Sequence, residues 1–138
     1  MKYEIARLGV YPALNLKIIG FNEGIIKMEN QFPEFIYQFP RASLPPGVDG
    51  ISNLLSAPEG QVVFHTIPKG QGVPLHCHGD SLAVLMSGSL EITLGQEKFT
   101  AKGSIPWFIP AGVMHSGYAL EDSLLIEVFC EKRFLSGV

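Results

Sequence analysis

The chain has 138 residues and a mass of 15.1 kDa, which suits one domain with its own core. Charged residues make up only 17% and the net charge is −3 with no basic cluster, which argues against nucleic-acid binding. No segment approaches the roughly 18 apolar residues of a membrane span, and no secretory signal opens the chain. Two cysteines cannot form a disulfide framework, so we expect a cytoplasmic protein.

The predicted elements are almost all β-strands. Glycine (15 residues) and proline (10 residues) occur throughout and divide the chain into short segments, and no helical pattern lasts three turns. Such punctuation is typical of an all-β sandwich or barrel. The first two strands flank a three-residue hairpin loop, Asn22-Glu23-Gly24. Strands are predicted over residues 16–21, 25–29, 34–39, 61–67, 82–86, 90–94, 98–101, 107–109 and 123–131.

Residues 40–60 are predicted to form a connecting loop with one helical turn at 51–55, because Pro45-Pro46-Gly47 interrupts regular structure. We therefore expect one domain in which residues 1–60 form an N-terminal β extension and loop, and residues 61–138 form a barrel. The segments before residue 40 are more apolar than the outside of a small barrel requires. Because exposed edge strands need cover, we expect these segments to build a homodimer interface.

The histidine pair His76 and His78 is the first candidate for chemistry. In an extended segment, side chains at i and i+2 lie on one face, where two imidazoles can grip a divalent metal together. The alternative is a pair of surface histidines in a loop beside Gly79, and the spacing alone does not decide between the two.

Two blocks of glycine, proline and histidine surround this pair, with Gly70, His76, His78 and Gly88 in the first and Gly103, Pro110, Gly112 and His115 in the second. The two blocks resemble the two sequence motifs of the cupin superfamily, over about residues 61–130. The resemblance implies a double-stranded β-helix, a jelly-roll barrel with a metal ion in its mouth. It also implies that His76, His78 and His115 are the metal ligands.

The carboxylate ligand of the first cupin motif is missing from this sequence. Counted forward from His78 through three or four intervening residues, the motif glutamate falls on Leu82 or Ala83, and counted back from Gly88 through six intervening residues it falls on Ser81. Asp80 is the nearest carboxylate, so a fourth ligand from Ser81 or from Asp80 stays open. Three imidazoles suit a divalent Fe, Zn, Ni or Cu ion, and they leave coordination positions for water and substrate.

Two further residues are candidates for proton transfer. His65 lies on the predicted strand 61–67 with the parity of Val63 and Ile67, so it can face the cavity or the sheet surface. Glu127 lies in the apolar last strand, with parity opposite to that of its two neighbours. If Glu127 faces the barrel, burial raises its pKa and it can act as an acid or a base.

These features favour a metal-dependent enzyme that acts on a small molecule. The resemblance makes dioxygenase-like oxidation of a carbonyl or enol substrate the first hypothesis, with His65 and Glu127 as catalytic residues. The alternative is a non-catalytic cupin that binds a metal or metabolite as a sensor. A metal-free epimerase or isomerase is a third possibility, but the sequence offers no clear His–Asp pair for it.

Overall fold

The computed structural model describes residues 30–131, which form two antiparallel β-sheets and one 3-10 helix, Glu34–Gln38. The nine strands of this part are β1 Ile51–Ala57, β2 Gly60–Ile67, β3 Gly72–His76, β4 Ser81–Ser87, β5 Ser89–Leu94, β6 Glu97–Lys102, β7 Ile105–Ile109, β8 His115–Ala119 and β9 Ser123–Phe129. Within residues 30–131, no helix has the length and apolar character that crossing a membrane requires.

The two sheets face each other as in a jelly roll, which confirms the predicted all-β architecture. One sheet has the strand order β1-β2-β9-β4-β7, and the other has the order β3-β8-β5-β6. Alternate side chains of both sheets point inward, as the two-residue period of a strand requires. The core between the sheets consists of Ala83, Leu85, Leu90, Ile92, Ala101, Ala119 and Leu125.

The strand predicted at residues 34–39 is wrong, because this segment is the 3-10 helix Glu34–Gln38. Pro33 precedes the helix, and its carbonyl accepts a hydrogen bond from the Ile36 N–H at 2.9 Å. Phe32 and Ile36, four residues apart, pack with Leu124 in one buried cluster. The apolar pattern therefore fitted a helical turn as well as it fitted a strand.

The helical turn and loop predicted around residues 51–55 are also wrong. This segment is β1, which pairs along its whole length with β2, from Ile51 opposite Thr66 to Ala57 opposite Gly60. Its polar residues hid the strand, because Asn53 is buried and donates a hydrogen bond to the Phe39 carbonyl at 2.9 Å. The hairpin predicted over residues 16–29 lies outside the described residues.

We predict that the two motif glycines Gly88 and Gly112 differ sharply in their tolerance of a side chain. Both have positive φ, +89° and +78°. A Cβ at Gly88 would also overlap the Ser123 hydroxyl and the Asp122 carbonyl, whereas a Cβ at Gly112 would meet nothing within 4 Å. Gly112→Ala should lower the free energy of unfolding by about 1–2 kcal/mol from backbone conformation alone. Gly88→Ala should lower it by more than about 3 kcal/mol, because backbone atoms must also move.

Urea unfolding of both variants beside the wild type measures this difference. Equal losses of stability in the two variants would contradict the crowding described around Gly88.

The homodimer expected from the sequence, with its interface in the segments before residue 40, stays a prediction, and the sheet of β1, β2, β9, β4 and β7 offers a different surface for a dimer. Leu82, Phe108 and Val128 are 44%, 55% and 42% exposed. They are cross-strand neighbours, because Leu82 pairs with Phe108 on one side and with Val128 on the other.

We expect light scattering to show a dimer, and Phe108→Glu should shift it to the monomer by placing charge in the interface. Tyr118→Glu, in the other sheet, is the control, and a monomeric wild type would contradict the prediction.

Candidate metal centre

The fold brings together the three histidines that the sequence indicated as metal ligands. His76 ends β3 and His115 begins β8, and the two residues are register partners in adjacent strands. His78 follows two residues later, and its ring centroid lies 4.6 Å from that of His115. One ligand atom of each histidine lies within 4.8 Å of the other two, so the group can hold a metal ion.

Backbone carbonyls fix the orientation of all three rings. The Nδ1 atom of His76 lies 2.8 Å from the Pro74 carbonyl oxygen. The Nδ1 atom of His78 lies 2.7 Å from the Gly79 carbonyl oxygen, and that of His115 lies 2.9 Å from the Val113 carbonyl oxygen. A carbonyl oxygen only accepts hydrogen bonds, so each Nδ1 must carry a proton and donate it. The lone pair is then on Nε2, which is the tautomer that binds a metal through Nε2.

The electrostatics of the cluster favour a neutral ring at His115. Burial lowers the pKa of His115, and the nearby rings of His76 and His78 lower it further, against the raising effect of its hydrogen bond to Val113. Because a metal ion binds the neutral ring, a lowered pKa keeps His115 ready for binding at moderately acidic pH. The donor set therefore fits a divalent transition metal.

Glu127 lies beside the three histidines, on the cavity face of β9. Its Oε1 accepts a hydrogen bond from the Ser81 hydroxyl at 3.0 Å and lies 3.7 Å from Nε2 of His78. Its Oε2 lies 3.7 Å from Nε2 of His65. Burial raises the pKa of the Glu127 carboxyl, but His65 and the Ser81 hydroxyl outweigh that effect and hold the pKa below its ordinary value. The raised pKa expected from burial alone is therefore wrong, and Glu127 is a carboxylate at neutral pH.

His65 faces the same interior from β2. Its Nδ1 lies 2.7 Å from the hydroxyl oxygen of Ser52, its register partner on β1. The three side chains Ser52, His65 and Glu127 thus form a continuous polar line from β1 through β2 to β9. Sequence reasoning missed Ser52, because its segment was predicted as a loop and a lone serine carries no signal.

Asp80 and Ser81, the two residues considered for a fourth ligand, have different surroundings. The Asp80 carboxylate is exposed and accepts a hydrogen bond from the Ala111 N–H at 2.8 Å. The Gly112 N–H donates to the His78 carbonyl at 2.9 Å, so these two contacts join the loops of the two motifs. Asp80 therefore positions loops, whereas the buried Ser81 points its hydroxyl at Glu127.

A cavity of about 330 Å³ opens beside His76, the one residue of the cluster that lines it. Ser52, His65, His76 and Glu127 provide polar groups along its wall. Much of the remaining wall is apolar and includes Leu44, Val48, Ile67, Val73 and Phe129. This volume lies at the lower end of the range for small-molecule sites, and its combination of apolar wall and few polar groups is typical of them.

Comparison with solved structures finds chains of similar fold. KdgF from Halomonas sp. is 24% identical with a TM-score of 0.62, and the match covers 71% of this chain and 91% of that chain. An RmlC-like cupin from Shewanella frigidimarina NCIMB 400 is 18% identical with a TM-score of 0.63, covering 71% and 88%. Salicylate 1,2-dioxygenase from Pseudoaminobacter salicylatoxidans is 15% identical with a TM-score of 0.57, covering 64% and 26%. No protein-family model matches the sequence, and no curated protein matches it significantly.

We predict opposite proton positions on the two kinds of histidine in the metal-free protein. His76, His78 and His115 should carry their proton on Nδ1, because each Nδ1 faces a carbonyl oxygen. His65 should carry a proton on Nε2, because that atom faces the Glu127 carboxylate. Long-range ¹H–¹⁵N correlation NMR at neutral pH distinguishes the tautomers, and Nε2–H signals from the three clustered rings would contradict the geometry.

Proposed function

We propose that this chain, which has the cupin fold, is a metal-dependent enzyme that acts on a small carbonyl- or enol-containing molecule, by dioxygenase-like oxidation. The observation that carries the proposal is the grouping of His76, His78 and His115, with their Nδ1 atoms on backbone carbonyls, beside a largely apolar cavity of about 330 Å³. A site beside a cavity that keeps coordination positions for water and substrate suits catalysis, whereas a structural site keeps none.

His76, His78 and His115 would hold the divalent ion, and iron, zinc, nickel and copper all suit imidazole ligands. Such an ion, when bound, polarises a coordinated oxygen of the substrate, and iron in addition supports chemistry with O₂. The salicylate 1,2-dioxygenase among the structures of similar fold supports oxidation as the reaction class. In that reaction O₂ is the oxidant, and both of its atoms enter the products.

The protein's own residues would bind the substrate and handle its proton. The apolar wall around Leu44, Ile67 and Phe129 would hold the carbon skeleton and exclude water. His65 and Glu127, the candidate catalytic residues, face each other across 3.7 Å at the cavity wall. This pair would hold a proton between Nε2 and Oε2, where the hydroxyl of an enol can exchange with it.

We predict about one equivalent of divalent metal in protein purified anaerobically, without a tag and without metal-affinity resin. His76→Ala and His115→Ala should each lose the metal, because two imidazoles leave the ion weakly held. Glu91→Gln is the control and should keep it, because Glu91 pairs with Lys98 at the surface, away from the cluster of three. Elemental analysis gives the result, and a wild type that neither contains nor takes up metal would contradict the proposal.

The reaction class needs a second measurement on the Fe(II)-loaded protein. Oxygen uptake is followed with enolisable diketones and catechol-like acids, and incorporation of both atoms of ¹⁸O₂ into products would identify a dioxygenase. Saturable binding of these compounds without turnover would favour the non-catalytic binding or sensor cupin instead.

A further inference from the structure

We infer that Glu127 is the fourth protein ligand of the metal, through Oε1, so that β9 supplies the carboxylate that the first motif lacks on β4. The inference rests on the metal site proposed above and adds a residue to it. The two carboxylate oxygens then have different partners, because Oε1 faces His78 and Oε2 faces His65.

The distance between Oε1 of Glu127 and the His78 imidazole is slightly longer than that between two ligands of one ion. Ligand atoms at about 2.0–2.2 Å from a metal lie roughly 3.0–3.5 Å apart in tetrahedral or octahedral geometry. Oε1 of Glu127 lies 3.7 Å from Nε2 of His78, the atom that the hydrogen bond on Nδ1 leaves for the metal. Glu127 lies outside the group whose ligand atoms are all within 4.8 Å of one another, so a rotation of its side chain has to bring Oε1 closer to the other two imidazoles before it binds the ion.

The small side chain of Ser81 explains how Glu127, on β9, can occupy the ligand position that the first motif assigns to β4. In the register of β4 and β9, Ser81 pairs with Phe129 and Ala83 pairs with Glu127. Ser81 and Glu127 are therefore diagonal neighbours on the inner face, and the Ser81 hydroxyl donates to Oε1 at 3.0 Å. The motif would place a glutamate at position 81, and the short serine there leaves room for the Glu127 side chain. The serine hydroxyl also orients the Glu127 carboxylate.

The second carboxylate oxygen is oriented as well. Nε2 of His65 lies 3.7 Å from Oε2, and the Ser52 hydroxyl lies 2.7 Å from Nδ1 of the same ring. Partners of this kind hold a metal-binding carboxylate in one orientation. The carboxylate is thus approached by Ser81 on one oxygen and by His65 on the other, while the histidine cluster lies beside Oε1.

Burial gives an independent reason to expect a cation beside Glu127. Glu127 is 9% exposed and is the one buried acidic residue in the part of the chain that the structure describes. Within residues 30–131 its ion-pair contacts are to histidines, and no lysine or arginine pairs with it. A buried carboxylate needs positive charge close by, and a divalent ion among three neutral imidazoles supplies it.

The test compares metal affinity among variants that separate charge from position. Glu127→Gln keeps the side-chain shape and removes the charge, and Glu127→Ser removes the ligand. The double variant Ser81→Glu, Glu127→Ser exchanges the two side chains, keeps their combined volume and returns the carboxylate to the motif position. Glu91→Gln is the charge-matched control, because Glu91 lies on β5 and pairs with Lys98 at the surface.

Zn²⁺ affinity is measured by competition with a chromophoric chelator, on metal-free proteins whose folding is checked by circular dichroism. Glu127→Gln and Glu127→Ser should each bind Zn²⁺ about 100-fold more weakly than the wild type, and Glu91→Gln should match the wild type. The exchanged double variant should recover to within about tenfold of the wild type. If a single variant does not fold, the exchanged variant carries the comparison alone.

The visible absorption of bound Co²⁺ depends on its ligands, so it would not change on substitution of Glu127 if that residue had only a structural role. The visible absorption of the Co²⁺-loaded wild type should change on Glu127→Gln, because one oxygen ligand is lost, and should stay the same in Glu91→Gln. Unchanged Zn²⁺ affinity and an unchanged Co²⁺ spectrum in Glu127→Gln would overturn the inference and leave the proposed function standing. A folded exchanged variant as weak as Glu127→Ser would also overturn it. A wild type that binds neither ion would overturn both.

Discussion

The candidate site depends on the pairing of β9 with β2 on one side and β4 on the other. Glu127 stands opposite Val63 on β2 and opposite Ala83 on β4, both of which are fully buried and carry no polar group. The polar neighbours stand on the diagonals, with His65 two residues along β2 and Ser81 two residues along β4. Antiparallel register therefore directs both of them to one carboxylate, and a slip of β9 by one residue would turn the Glu127 side chain out of the cavity.

The charges of the site are arranged by the backbone as much as by side chains. Three carbonyls hold the protons of three imidazoles on Nδ1, so the rings present lone pairs rather than N–H groups to the point where they converge. The neighbouring carboxylate is ionised in spite of its burial. Neutral donors and one anion, enclosed by largely apolar walls, form an environment in which a cation is attracted strongly, because little water screens it.

The histidine cluster was predicted through the resemblance of the residues around it to the two cupin motifs, because the spacing of His76 and His78 alone left the metal site open. The sequence also predicted most strands after residue 60, where apolar residues end at clear turn signals. It did not predict β1, because Ser52 and Asn53 interrupt the apolar pattern and find their partners through tertiary contacts. Parity gave the face of Glu127, but the contact between Ser81 and Glu127 joins residues 46 positions apart, and no local pattern encodes it.

That contact changes how the missing motif carboxylate should be interpreted. Adjacent strands of a sheet lie about 4.8 Å apart. A side chain as long as glutamate can therefore place its oxygens where a side chain of the next strand would otherwise lie. A shorter residue must then stand at the original position, since two glutamates would compete for one space and repel each other. Serine meets both needs, because it is small and its hydroxyl donates to the incoming carboxylate. A serine at the motif position together with an inward-facing acid on the last strand is therefore a reason to expect a complete donor set, whereas the serine alone would suggest a degraded one.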